Sequence, residues 1–413
     1  MSSENGLPVS LAEVEAAARG IAGKVVRTPL IEAPRFPGLP DTPVYLKLEN
    51  LQRTGAFKLR GATHRIAQLT PEEARRGVVA ASAGNHALGV AWAARAKGVP
   101  VTIVMAKNAS PLKVSLTRGL GARVILDGSD YDEAHDRSVR LASEEGLTYI
   151  HPYDDPFIVA GQGTVGLEIL EDLPNVARIV VGVGGGGLFS GIAAAVRGRG
   201  SRADLVGVQP RGSDNLRPSL EQGRVVLGPP PSTFADGLAT RQIGELPFRI
   251  LRAAGARAVS VDDRTIARAS FLLLEQAKVL AEGAGATPLA GLLEHPELAE
   301  GGPVVLVVSG GNLDPFLLDR ILFVGLAAEG RLLRLRAPLR DVPGRLEEFL
   351  ATAAREGANV RHIVHERESP DRPPGEVTVE VELEVRDSGH GAAVEAAYRD
   401  AGWPVLRVPL GPT

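Results

Sequence analysis

From Val44 to about Leu313, short runs of β-branched apolar residues alternate with longer helical segments, and this alternation restricts the fold more than any other feature of the chain. The runs are VYLKL (44–48), GVVAAS (77–82), VTIVMA (101–106), ARVIL (122–126), ARIVVGV (177–183), ADLVGVQ (203–209) and PVVLVVS (303–309). Between them, ALGVAWAARAKG (87–98) and DEAHDRSVRLASEEG (132–146) carry apolar residues at helical spacing. Strands that are apolar on both faces, separated by helices, belong to buried parallel sheets covered on both sides. In such an α/β architecture ligands bind beyond the C-terminal ends of the strands. Reactive motifs are therefore expected directly after strands.

The pattern changes near Glu329 and Gly330. RLLRLRA (331–337) reads as a strand, VPGRLEEFLATAAREG (342–357) as a helix, and NVRHIVHER (359–367) and EVTVEVELEV (376–385) as half-exposed strands. HGAAVEAAYRDAG (390–402) reads as a second helix and WPVLRVP (403–409) as a last strand, with SPDRPPGE (369–376) as a loop. The order β-α-β-β-α-β is ferredoxin-like. At 413 residues the chain exceeds one ordinary domain. The expected division is 1–328 and 329–413, with a smaller subdomain of about 50–155 inserted in the first part. The absence of cysteine excludes disulfides and thiolate chemistry. A net charge of -3 offers no footprint for nucleic acid or an acidic membrane. MSSENGLPVS has no signal-peptide core, and no apolar run reaches the roughly 18 residues of a membrane span, so a cytoplasmic location is expected.

Five segments are candidates to carry the chemistry. In GAFKLRGA (55–62), Lys58 stands between Phe57 and Leu59; a desolvated lysine loses its proton more readily and can form a Schiff base with an aldehyde, although most lysines are simply exposed. SAGNHALG (82–89) follows a strand and puts Asn85 and His86 at a helix start, where N–H groups and the Ser82 hydroxyl suit a carboxylate; Asn85 as a plain helix cap is the alternative. In GVGGGGLFSG (182–191), four consecutive glycines leave the backbone free to wrap a phosphate, or serve tight packing. Gly182, Gly184 and Gly187 also satisfy the dinucleotide spacing, but the next strand has its acid, Asp204, at the wrong end for a ribose. VVSGGN (307–312) ends a strand at Ser309, and AEGAGA (281–286) places Glu282 before a further glycine-rich turn.

In this order the motifs resemble those of the fold-type II pyridoxal-phosphate enzymes, most closely the threonine dehydratases (threonine ammonia-lyases), over roughly residues 20–320. The resemblance implies two doubly wound, mostly parallel subdomains and a pyridoxal 5'-phosphate cofactor joined to Lys58. It places Phe57 beside the cofactor, Asn85 on its ring hydroxyl, Gly184, Gly185, Gly186, Gly187 and Leu188 on its phosphate, and Ser309 at its ring nitrogen. Ser82, Ala83, Gly84, Asn85 and His86 would hold the substrate. The implied reaction is loss of water and ammonia from threonine to give 2-oxobutanoate, or from serine to give pyruvate, as a first step of isoleucine biosynthesis. Racemases similar to these enzymes have a serine at the position of Ala83, and an alanine carries no proton. They also bind a divalent cation through acids where this chain has neutral Gln209 and Asn215, so no essential metal is expected. A non-catalytic amino-acid-binding regulator is a further alternative, as is another fold-type II enzyme such as a threonine or cysteine synthase, whose lysine motifs commonly differ from Leu59-Arg60-Gly61-Ala62 after the lysine. The segment RAPLRDVPGRLEEFL (336–350) resembles the start of an ACT domain, which implies an amino-acid effector near Asp341, Gly344 and Asn359. A homotetramer or dimer is expected from the same resemblance.

Overall fold

Each of the seven apolar runs forms a strand of a parallel sheet in the computed structural model, which describes residues 7–368 and 373–410. Residues 369–372 of the expected proline-rich loop, and the first six residues, lie outside these. The larger sheet contains β1 (Leu30–Glu32), β2 (Val44–Leu48), β7 (Arg178–Gly182), β8 (Asp204–Pro210), β9 (Arg257–Val261) and β10 (Val304–Val308), in the order β1-β2-β10-β7-β8-β9. Only β1, at the edge, runs antiparallel to its neighbour. The smaller sheet contains β3 (Val78–Ala81), β4 (Val101–Met105), β5 (Arg123–Leu126) and β6 (Thr148–Tyr149), all parallel, in the order β5-β4-β3-β6. Its four strands all fall between β2 and β7 in sequence. β1, β6 and β9 were not expected from sequence: LIE and TY are too short to show a period, and RAVSV is opened by an exposed arginine.

Glycines let four helices approach main chain to main chain. A Cβ on Gly191, in helix Gly187–Gly198, would stand 2.4 Å from the Val159 carbonyl oxygen of helix Pro156–Asp172. A Cβ on Gly161 would stand 2.7 Å from the Cα of Gly61, in helix Lys58–Ala67. Helix Asn85–Lys97 presses on the other side, where a Cβ on Gly89 would come within 3.2 Å of the Lys58 carbonyl carbon.

Beneath Lys58 lies a buried ion network. Arg60 donates to Glu49 at 2.7 Å and Glu168 at 2.6 Å, and Lys47 donates to Glu168 at 2.6 Å. Lys47, Glu49 and Arg60 are fully buried. Burial alone would raise the pKa of Glu49, but the Arg60 guanidinium outweighs it and holds the carboxyl below its ordinary value.

The chain divides into two compact units, 1–314 and 315–413. The division therefore falls earlier than the expected 328/329, and helix Pro315–Ala328 goes with the second unit. That unit contains β11 (Leu332–Arg340), β12 (Asn359–Glu366), β13 (Glu376–Glu384) and β14 (Leu406–Arg407) in an antiparallel sheet of order β12-β13-β11-β14. Helices Arg345–Arg355 and Ser388–Asp400 complete the ferredoxin-like arrangement over a core that includes Phe349, Tyr398 and Trp403. The last strand is shorter than WPVLRVP suggests, because Pro404 and Pro409 bring no N–H to a ladder.

Candidate active site

Lys58 opens helix Lys58–Ala67 and is half-buried. Its Nζ donates to the Pro152 carbonyl oxygen at 2.8 Å and lies 5.3 Å from the Phe57 ring centre. No carboxylate pairs with it among the described residues, and desolvation lowers its pKa to about 8. An amine in that range loses its proton far more easily than a solvated lysine. The Phe57 N–H donates to the Ser309 carbonyl oxygen at 3.1 Å, which fastens the lysine segment to the end of β10. Ser309 is itself buried there.

Asn85 is not the cap of its helix. Gly84 occupies the N-cap position with no side-chain cap, and Asn85 is the first helical residue. The Ser82 hydroxyl accepts from the Gly84 N–H at 3.1 Å, which shapes the turn. The uncapped first turn of this helix keeps N–H groups with no partner inside the helix, suited to an anion. Asn85 instead spends its side chain on Glu282 (2.6 Å) and Asn312 (2.8 Å). His86 is buried, and its Nε2 lies 3.0 Å from the Ile150 carbonyl oxygen. A carbonyl only accepts, so Nε2 carries the hydrogen. Burial and the nearby Lys58 charge depress the His86 pKa to about 3, which leaves the ring neutral and its backbone N–H as the group available to a carboxylate. Ala83 is half-buried and packs against the apolar core of the smaller subdomain.

The glycine turn links β7 to helix Gly187–Gly198, with Gly186 at φ +91° as its N-cap. A side chain is excluded at each position: a Cβ would lie 2.9 Å from the Gly237 oxygen at Gly184, 2.3 Å from the Tyr153 ring at Gly185, 2.9 Å from Ile243 at Gly186 and 3.0 Å from Tyr153 at Gly187. Tight packing therefore demands the glycines, which is one of the two readings the sequence left open, and the helix they lead into has first-turn N–H groups with no partner inside the helix. Leu188 is buried in the first turn.

Tyr153, Pro152 and Asn312 belong to this site and were not singled out from sequence. His151 organises the loop of Pro152 and Tyr153, its Nδ1 accepting from the Tyr153 and Asp154 N–H groups at 3.2 and 2.8 Å. HPYDDP follows the very short strand β6, so no strand signal pointed to it; Asn312 closes the VVSGGN motif and was in plain view. Gln209 is committed to structure, donating to Val183 and Asn215 and accepting from the Asn215 and Leu216 N–H groups. In the second unit, Asp341 accepts from Arg367, Gly344 adopts φ +86° as a helix N-cap, and Asn359 opens β12 and donates to Glu384.

A desolvated lysine, an uncapped helix start, a glycine turn at a second helix start and a buried serine, all at the C-terminal ends of parallel strands, define an enzyme site for a phosphorylated aldehyde cofactor. The chain belongs to the family described as pyridoxal-phosphate dependent enzyme, whose model matches residues 21–310. It is 43% identical to an L-threonine ammonia-lyase of Thermotoga maritima over 96% of this chain and 99% of that protein. It is 42% identical to an L-threonine ammonia-lyase of Geobacter sulfurreducens over 92% and 95% respectively. Among solved structures, a threonine deaminase from T.th. is 38% identical with a TM-score of 0.69, covering 74% of this chain and 99% of its own. Maize serine racemase, 33% identical, has a TM-score of 0.72 and covers 78% and 98%. The residues present fit pyridoxal phosphate: the amine is half-buried with no carboxylate partner among the described residues, and two helix starts with no side-chain cap, at Gly84 and at Gly186, follow strands of the two sheets.

Proposed function

We propose that this protein is an L-threonine ammonia-lyase that converts threonine to 2-oxobutanoate and ammonia, with serine as a second substrate. The observation that carries the reading is the Lys58 amine, desolvated and with no carboxylate partner among the described residues, bonded to Pro152 next to the Tyr153 that packs on the glycine turn. In this reading Lys58 holds the cofactor, the glycine turn and Leu188 take its phosphate, Phe57 flanks it, Asn85 meets its ring oxygen and Ser309 its ring nitrogen. Pyridoxal phosphate, when bound, supplies the electron sink that acidifies the substrate Cα–H. Ser82, Gly84 and the first N–H groups of helix Asn85–Lys97 bind the substrate carboxylate and orient that bond. With the cofactor bound, the Lys58 Nζ would take the Cα proton, the β-hydroxyl would leave as water with that proton returned to it, and hydrolysis of the remaining enamine would give the 2-oxo acid and ammonia. The half-buried cleft limits water around Nζ and keeps it a competent base.

The likeness to maize serine racemase favours a second reading, racemisation, but that needs a proton carrier on the opposite face of Cα, and Ala83 has none. We further infer that the second unit is an ACT-like sensor of an amino acid, isoleucine by the logic of feedback, around Asp341, Gly344 and Asn359, and that the protein works as a cytoplasmic homo-oligomer. The test is direct: the purified protein with pyridoxal phosphate should form 2-oxobutanoate from threonine and pyruvate from serine, and Lys58→Ala should form neither. D-serine as the main product from L-serine, without 2-oxo acid, would replace this reading with the racemase.

A further inference from the structure

We propose that Glu282 and Asn312 are positioning residues that lock the Asn85 amide in one orientation, with an N–H aimed at the ring oxygen of the cofactor. The proposal rests on the reading of Asn85 as a cofactor contact. A single chain of hydrogen bonds dictates the orientation. It starts at the Thr54 backbone carbonyl, which can only accept. Asn312 Nδ2 lies 2.8 Å from that oxygen, so this end of the Asn312 amide is its donor. The same Nδ2 lies 2.8 Å from Asn85 Oδ1, which is thereby the accepting end of Asn85. The other end is the NH2 group, and it stands 2.6 Å from Glu282 Oε1.

A flipped Asn85 would set its NH2 against the Asn312 NH2 and its oxygen against the Glu282 carboxyl. An amide whose partners are a donor on one side and an acceptor on the other has one acceptable orientation. Of its two N–H bonds, one is taken by Glu282 and the other is left for a ligand that accepts. Both anchoring side chains are seated on glycines: a Cβ on Gly310 would come within 2.2 Å of Glu282 Oε1, and one on Gly55 within 2.3 Å of Asn312 Oδ1. The Glu282 N–H donates to the Gly310 oxygen at 3.1 Å, which ties its backbone to the turn after β10. Desolvation pushes the Glu282 carboxyl up to about 7 while the Asn85 N–H works against it, as expected of a carboxyl whose close partner is neutral. The ring atom facing Asn85 must therefore be an acceptor, and the arrangement favours its deprotonated, anionic form.

The experiment titrates cofactor-free protein with pyridoxal phosphate and reads both Kd and the visible absorption maximum of the bound cofactor. Glu282→Ala and Asn312→Ala should each weaken binding about tenfold or more, the scale of losing a hydrogen bond to a charged group, and should shift the maximum. Glu282→Gln keeps an acceptor oxygen in the same place and should retain the parent affinity and spectrum. Where an alanine variant gives no cooperative melt, Asn312→Asp removes the donor without removing volume and must show the same loss. Parent-like affinity and spectrum in Glu282→Ala and Asn312→Ala overturn the proposal, as does a Glu282→Gln protein as impaired as Glu282→Ala. A parent protein that takes up no cofactor overturns the reading of the site itself, a separate and recognisable result.

Discussion

At the scale of single residues, the distinctive feature is a lysine that the fold deprives of water without giving it an anion. Its pKa of about 8, against 10.5 for a free side chain, has a sign that can be checked. Between these values the unfolded chain binds more protons than the folded one, so stability rises with pH through that window. Cofactor-free protein should accordingly become more resistant to urea as pH is raised from about 8 to about 10, and Lys58→Met should abolish that rise. A parent protein whose midpoint is flat over this range would show Lys58 to be solvated. Lys58 was legible because its apolar neighbours Phe57 and Leu59 are adjacent in sequence. Glu282 was visible only as an acid beside a glycine turn, since its partner Asn85 is 197 positions away. Tyr153 was invisible for a similar reason: its role is to cover glycines in a distant loop.

At the scale of elements, contact between helices matters as much as the strands that sequence reveals so readily. Helices Pro156–Asp172 and Gly187–Gly198 touch through glycine, so Gly191→Ala, which would put a methyl 2.4 Å from the Val159 oxygen, should cost about 1–3 kcal/mol or more in urea unfolding. It should also weaken cofactor binding, because the same helix presents the glycine turn. Breaking the ion network has a larger predicted effect. Arg60→Met leaves Glu49 buried without its guanidinium and should cost about 3–5 kcal/mol, whereas a loss below about 1 kcal/mol would show the network to be solvated. Sequence placed Lys47 inside the apolar strand VYLKL, but did not reveal that Glu168 would meet it or that Arg60 would join Glu49 and Glu168.

At the scale of the whole molecule, the two units differ in how widely relatives share them. The T.th. threonine deaminase is covered over 99% of its length by 74% of this chain, whereas the Thermotoga relative is matched almost end to end. A protein ending at Asp314 should therefore keep threonine turnover and lose any response to isoleucine; an unchanged isoleucine response would remove the second unit as the sensor. The sequence reading put helix Pro315–Ala328 with the first part and the compact units put it with the second, because the helix is apolar apart from Asp319 and Arg320 and its composition assigns it to neither side. The most direct test of the account is to incubate the protein with pyridoxal phosphate, reduce it with borohydride and map the modified peptide by mass spectrometry. A single phosphopyridoxyl group on Lys58 is expected; a label on any other lysine, or none, contradicts the role given to Lys58.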